Sequence, residues 1–233
     1  LEALRTLAGQ PNNWLVAEAI EEIQRKSTVL PVGVELGWIA ELGGERHESQ
    51  PRTILWNHRW EFDKGPEMFA RVICELASEG IPFRVNIAGE PGENPCEAMW
   101  RAREVLGERV LHFGFAESRK EYGRLLWTSD IAISTTRHEF FGVGMVEAMA
   151  AGCIPLAPSG YNYPALVPAD LHGALLFASE AELRAKLVAL LTGPLPPRER
   201  IRAAACRSGW ETVGPRWREA MEELAGRRES TRG

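Results

Sequence analysis

Glu139 and Glu147 stand eight positions apart in the run His138-Glu139-Phe140-Phe141-Gly142-Val143-Gly144-Met145-Val146-Glu147. The apolar stretch 130–136 before them reads as a buried strand. Glu139 then falls on the loop leaving that strand, and Glu147 about a turn and a half into the following helix. Both carboxylates can face one cleft. Gly142 and Gly144 let a phosphate or sugar approach the main chain closely, and the free amides around Phe141 to Gly144 form the anion-attracting end of the helix. The spacing suits a nucleotide-sugar site.

Two cations, Arg59 and Lys64, follow the first predicted strand within His58-Arg59-Trp60-Glu61-Phe62-Asp63-Lys64. Fixed Arg and Lys donors with a helix start can stabilise the charge growing on a diphosphate leaving group. No Asp-x-Asp pair is present to hold a divalent ion against phosphates, so a metal-independent site is expected. Glu147 can accept two hydrogen bonds from a vicinal diol such as a ribose. Glu139 would then meet the sugar, holding hydroxyls and offsetting an oxocarbenium-like charge. Each residue has a plainer alternative: Arg59 and Lys64 as a solvated loop, Glu147 as a favourable acid early in a helix, Glu139 as a loop charge. His138 contacts phosphate or sugar, or makes a structural hydrogen bond; Phe140 and Phe141 wall the pocket or anchor the helix. His58, Trp60 and Phe115 are placed to line the nucleotide site, while His112 reads as an interior or edge residue. The dinucleotide fingerprint and the P-loop are both missing, and no cofactor is called for.

These residues need a scaffold, and the pattern supplies one. From about residue 53, short apolar strands (53–57, 83–89, 110–115, 131–136, 153–157, 174–177) alternate with amphipathic segments (66–79, 96–106, 119–129, 144–151, 180–191). Such alternation implies right-handed crossovers and an α/β, Rossmann-like parallel sheet with helices on both faces, ligands sitting outside the carboxyl ends of the strands. Residues 13–26 read as an amphipathic helix, 29–34 as a short strand or linker, 42–51 as a polar loop, and 199–205 and 215–225 as helices, with breaks at Pro196-Pro197 and Gly214-Pro215. The expected division is 1–28 a remnant of a preceding domain, 29–52 hinge and linker, 53–195 the nucleotide-sugar domain, and 196–233 C-terminal helices and tail.

The chain has 233 residues, 45% of them hydrophobic, enough for a full core. No apolar run approaches a membrane span and no signal peptide opens the sequence, so a cytoplasmic setting is expected. Cys74, Cys96, Cys153 and Cys206 are widely separated and read as buried free thiols rather than a metal or disulfide set. A net charge of −5 argues against a large phosphate-tracking surface, although Arg227, Arg228 and Arg232 make the tail locally basic and frayed.

Glu139 and Glu147, preceded by Arg59 and Lys64, resemble the donor-binding half of retaining glycosyltransferases of the GT-B architecture. The segment 29–35 resembles the hinge strand of that class. More narrowly, His58-Arg59-Trp60-Glu61-Phe62-Asp63-Lys64, His138-Glu139-Phe140-Phe141-Gly142 and Tyr163-Pro164 look like the tRNA-queuosine mannosyltransferase family, over roughly residues 27 to 190. The resemblance implies GDP-mannose as donor and queuosine in tRNA as acceptor. Arg59 and Lys64 would contact the diphosphate, Glu147 the ribose, Glu139 the transferred sugar, and Phe141, Gly142 and Val143 the phosphates through their backbones. The family commonly has Glu after Tyr-Pro, where this chain has Ala165. It also implies a first domain that carries the acceptor site, so the chain is expected to be a fragment that is inactive alone. Two alternatives stay open: another nucleotide-sugar enzyme of this architecture, with a uridine donor or as an epimerase, and a binding module without turnover.

Overall fold

A computed structural model describes residues 14–43, 50–92 and 96–230. It divides into two compact units. One comprises Leu1–Pro31 with Arg216–Gly233, the other Val32–Pro215. In the first, helix α1 (Trp14–Lys26) carries Arg25 and Lys26 in its last turn, where cations suit the helix dipole. Trp217 Nε1 donates to Pro31 O at 2.8 Å within the same unit.

The larger unit opens with α2 (Gly37–Glu41) and then builds the sheet. Its strands are β1 (Thr53–Asn57), β2 (Arg84–Ala88), β3 (Val110–Gly114), β4 (Ile131–Ile133), β5 (Ile154–Pro158) and β6 (Leu176–Phe177). Helices α3 (Pro66–Ser78), α4 (Glu97–Leu106), α5 (Arg119–Thr128) and α6 (Val143–Ala150) join the first five. Two short turns, α7 (Tyr163–Leu166) and α8 (His172–Leu175), precede β6, and α9 (Glu180–Thr192), α10 (Arg198–Cys206) and α11 (Trp210–Ser230) follow it. Every strand pair is parallel and the order is β3-β2-β1-β4-β5-β6. Helices therefore cover both faces, which is why Ile54, Leu55 and Trp56 are buried as a continuous run rather than in alternation.

At the amino ends of the strands, the buried Asp130 ties the middle of the sheet together. Its Oδ2 accepts the Thr53 amide at 2.9 Å, its own amide donates to Thr53 O at 2.7 Å, and Arg198 Nη2 reaches Oδ1 at 2.7 Å. The carboxylate is thus paired and hydrogen-bonded, the condition under which burial of a charge is tolerated.

Several sequence expectations shift. The strand expected over 131–136 ends at Ile133, because Ser134, Thr135 and Thr136 spend their hydroxyls on other elements. The strand over 174–177 shrinks to two residues after α8, and in 29–34 Val34 alone bridges, to Gly209. Gly214-Pro215 is not a break: α11 starts at Trp210, whose amide donates to Val34 O at 3.1 Å, and the helix continues past Pro215. Among the described residues the cysteines form no metal or disulfide set, but of the four only Cys153 is buried, and Cys206 is exposed because it closes the surface-lying α10. Of the loop 42–51, residues 44–49 lie outside the described residues. Arg227 and Arg228 fall within α11, and Arg232 lies outside.

Candidate active site

The strand order reverses between β1 and β4, and the loops leaving these two strands carry the chemistry-bearing residues, as expected at a switch point. After β1 a short turn, Phe62–Lys64, ends at Gly65 with φ +64. A Cβ on Gly65 would lie 2.2 Å from Thr135 O, so only glycine lets this turn press against the chain leaving β4. Thr135 Oγ1 donates to Lys64 O at 2.9 Å and accepts from Trp56 Nε1 at 3.0 Å. Thr136 Oγ1 lies 2.9 Å from Asp63 O, which also accepts the Arg137 amide at 2.7 Å. The two loops are stitched into one rim.

That stitching brings Lys64 and Glu139 together. Lys64 Nζ lies 3.4 Å from Glu139 Oε2, 3.2 Å from Asp63 Oδ2 and 3.3 Å from His138 O, with the Lys64 and Glu139 side chains 14% and 16% exposed. Glu139 Oε1 accepts the amides of Phe140 at 3.1 Å and Phe141 at 3.4 Å, which fixes the carboxylate against its own loop. Gly142, at φ +93, then starts α6 with no side-chain cap. The positive end of the helix dipole therefore lies beside the ion pair, a setting that favours an anion.

Glu147 occupies the fifth position of α6. The Tyr122 hydroxyl donates to its Oε2 at 2.9 Å, and Asn57 Nδ2 donates both to the Tyr122 oxygen and to Gly144 O, each at 2.9 Å. One carboxylate oxygen of Glu147 is thus engaged within the fold. Burial pushes the Glu147 carboxyl up, while the Tyr122 bond and the nearby Arg119 charge pull it down. Burial also pushes the Tyr122 phenol well above its ordinary value, and the Glu147 charge adds to this. Tyr122 lines a cleft of about 410 Å³ at the ends of β1, β2 and β3, together with His58, Arg59, Phe115 and Arg119. None of Lys64, Glu139 and Glu147 lines this cleft, or the hollows of about 590 and 860 Å³ that flank α4 and Trp60; Tyr122 links the cleft to Glu147.

The remaining candidates separate. Arg59 lines the cleft but is exposed and pairs with Glu61 at 2.9 Å, away from the Lys64–Glu139 pair. His138 contributes its carbonyl to Lys64, while its ring turns outward to Phe140 and Tyr161 at centroid distances of 4.8 and 6.2 Å. Phe141 packs against the core, and Phe140 projects into solvent, so Phe140 anchors nothing. Trp60 is buried against Phe113 at 4.6 Å. His112 bonds Gly114 O at 2.9 Å as an edge residue. His58 is buried, and burial, aided by the neighbouring Lys64 charge, pushes its imidazole down to about 4. Sequence reasoning missed Tyr122, Asn57, Thr135 and Thr136 as site residues. The Ser118-x-x-Glu121 cap set Tyr122 in the first turn of α5, at the carboxyl edge, but nothing in the spacing pairs it with Glu147. Among the described residues, no group of three or more His, Cys, Asp or Glu is placed to hold a metal ion. Nor is any helix long and apolar enough to cross a membrane.

Comparison with known proteins adds to this geometry. The family model for glycosyl transferases group 1 matches residues 42–207. The chain is 39% identical over 157 residues to a tRNA-queuosine alpha-mannosyltransferase of Drosophila melanogaster, covering 64% of this chain and 41% of the relative. It is 24% identical over 193 residues to a GDP-mannose:cellobiosyl-diphosphopolyprenol alpha-mannosyltransferase of Xanthomonas oryzae pv. oryzae, covering 80% and 48%. The chain therefore spans less than half the length of either. Among solved structures, a glycosyltransferase from Rickettsia africae matches with TM-score 0.67 at 17% identity, over 85% of this chain and 57% of that one. The C-terminal domain of a group 1 glycosyl transferase from Francisella tularensis matches with TM-score 0.57 at 18% identity, over 79% and 98%. At such identities the likeness concerns the fold, which is Rossmann-like and of the GT-B type.

Proposed function

The chain belongs to the glycosyl transferases of group 1, and from that membership we propose that it is the donor-binding half of a retaining, metal-independent mannosyltransferase. GDP-mannose is the donor and queuosine in tRNA the acceptor, in the cytoplasm. The observation that carries the reading is the Lys64–Glu139 pair set beside the uncapped start of α6, with Glu147 held by Tyr122 one and a quarter turns on. Cleavage of a nucleotide sugar leaves a diphosphate, and Lys64, Arg59 and the α6 amides meet its growing charge without a metal. Glu139 turns from Lys64 toward the sugar as the diphosphate takes its place. Glu147 receives a ribose hydroxyl on Oε1. The mannosyltransferase relatives support the sugar and the guanosine donor, and the Drosophila melanogaster relative supports the acceptor.

Calorimetry of GDP, UDP and ADP against the chain, with a chelator present, is the test. GDP is expected to bind most tightly. Binding that appears only on adding magnesium, or a preference for UDP, would overturn the reading. Glu139→Ala is expected to leave GDP affinity unchanged or raised, since it releases Lys64, and a large loss would show that Glu139 holds the nucleotide instead.

A further inference from the structure

Beside the proposed donor site runs a strip of exposed rings and one guanidinium that the donor reading leaves unused. Phe62, Phe140 and Tyr161 are 69%, 87% and 50% exposed. Arg137 lies 4.3 Å over the Phe62 ring, the Tyr161 hydroxyl donates to Arg137 O, and the His138 ring meets Tyr161 on one side and Phe140 on the other. Tyr161 holds φ +58, left-handed backbone that is strained for a side-chain-bearing residue. Three loops, leaving β1, β4 and β5, thus converge to present flat faces to solvent. The strip touches the site directly, since Lys64 donates to the carbonyl of His138 and Phe140 adjoins Glu139.

We propose that this strip is the platform on which an unpaired base of the RNA acceptor stacks. The proposal rests on the acceptor read above and assigns it a place on this chain. Aromatic faces with an Arg plane are the surface that takes up splayed, single-stranded bases, because every base has a π-face. A folded protein partner would call for a broader apolar patch, and here polar His138 and Arg137 interrupt the strip. A base stacked on Phe140 lies one residue from Glu139, so its substituents reach the carboxylate where the sugar is held.

The experiment uses the chain saturated with GDP and two fluorescent RNA probes read by anisotropy: a stem-loop whose loop bases are unpaired and a fully paired duplex of the same stem. Stem-loop binding is expected to exceed duplex binding. Phe140→Leu and Tyr161→Ala should each weaken the stem-loop about tenfold. Phe140→Tyr, which keeps the ring, should retain it, with GDP affinity unchanged in all three. Equal binding of stem-loop and duplex, or full stem-loop binding by Phe140→Leu, overturns the proposal, as does a wild-type chain that binds GDP but not the stem-loop. Loss of GDP binding by the wild type would instead count against the donor reading, and stem-loop binding that still responds to Phe140→Leu would leave the platform standing.

Discussion

The two edges of the sheet differ in how they treat polar groups, although Arg202 Nε, beside Gly152 at the amino edge, also lacks a hydrogen-bond partner among the described residues. At the amino edge Asp130 is buried with Arg198 and the Thr53 amide supplying its hydrogen bonds. At the carboxyl edge, Asn57 Oδ1, His58 Nε2 and Trp60 Nε1 are buried without a hydrogen-bond partner among the described residues, and clefts open beside them. Unsatisfied buried groups cost stability, so a fold keeps them where another demand outweighs it. The amino edge is thus tied by paired groups, and the carboxyl edge, where the donor is proposed to bind, carries several unpaired ones.

The contrast is sharpest in Asp130→Ala, which strands the Arg198 charge in the interior. A loss of about 3 to 5 kcal/mol is expected in urea unfolding, and a variant as stable as the wild type would break the comparison. The carboxyl edge should instead respond to acid. The unfolded imidazole of His58 takes up a proton below pH ~6.5, while the folded one resists until about 4. Stability present above the unfolded value is therefore lost as pH falls from there toward the folded value, by about 1.4 kcal/mol per pH unit. His58→Gln should flatten that part of the profile, measured as urea midpoints between neutral pH and the folded value; an unchanged slope would assign the acid loss elsewhere.

Smaller effects concern the ligand. Glu147→Ala should cost about 1.5 to 3 kcal/mol of GDP affinity by calorimetry, with a melting shift smaller than that of Asp130→Ala. The reverse pattern would make Glu147 a structural residue. Tyr122→Phe keeps the ring stacked on Trp38 and removes the hydroxyl, for about 0.5 to 1.5 kcal/mol of GDP affinity. In the Glu147→Ala background it should do almost nothing, because the hydroxyl acts through that carboxylate. Additive losses would show Tyr122 touching the nucleotide itself.

How far the sequence reached follows the same division. The run Thr53 to Trp56 and the helical pattern of 66–78 depend on local periodicity, and they announced a parallel sheet and the edge where Arg59, Lys64 and Glu139 belong. Gly214-Pro215 misled, because an early start at Trp210, tied to Val34 across more than a hundred residues, carries the helix through the proline. His138 was a candidate by position; its ring lies against Phe140 and Tyr161, and its carbonyl accepts from Lys64. Backbone direction at a loop is set by what the loop packs on, here Thr136 and Tyr161.

By itself the sequence determined most of the element types, the glycine that opens the helix at Gly142, and the eight-residue step that puts Glu139 on a loop and Glu147 on a helix. These follow from short-range sterics and hydrophobic period, which a chain carries in its own order. Only the tertiary structure decided that β1 and β4 lie side by side, that Lys64 meets Glu139, and that Tyr122 from another helix occupies one oxygen of Glu147. Those contacts join residues 77, 75 and 25 positions apart, and no local preference encodes which of many distant partners a side chain will meet once the core has closed.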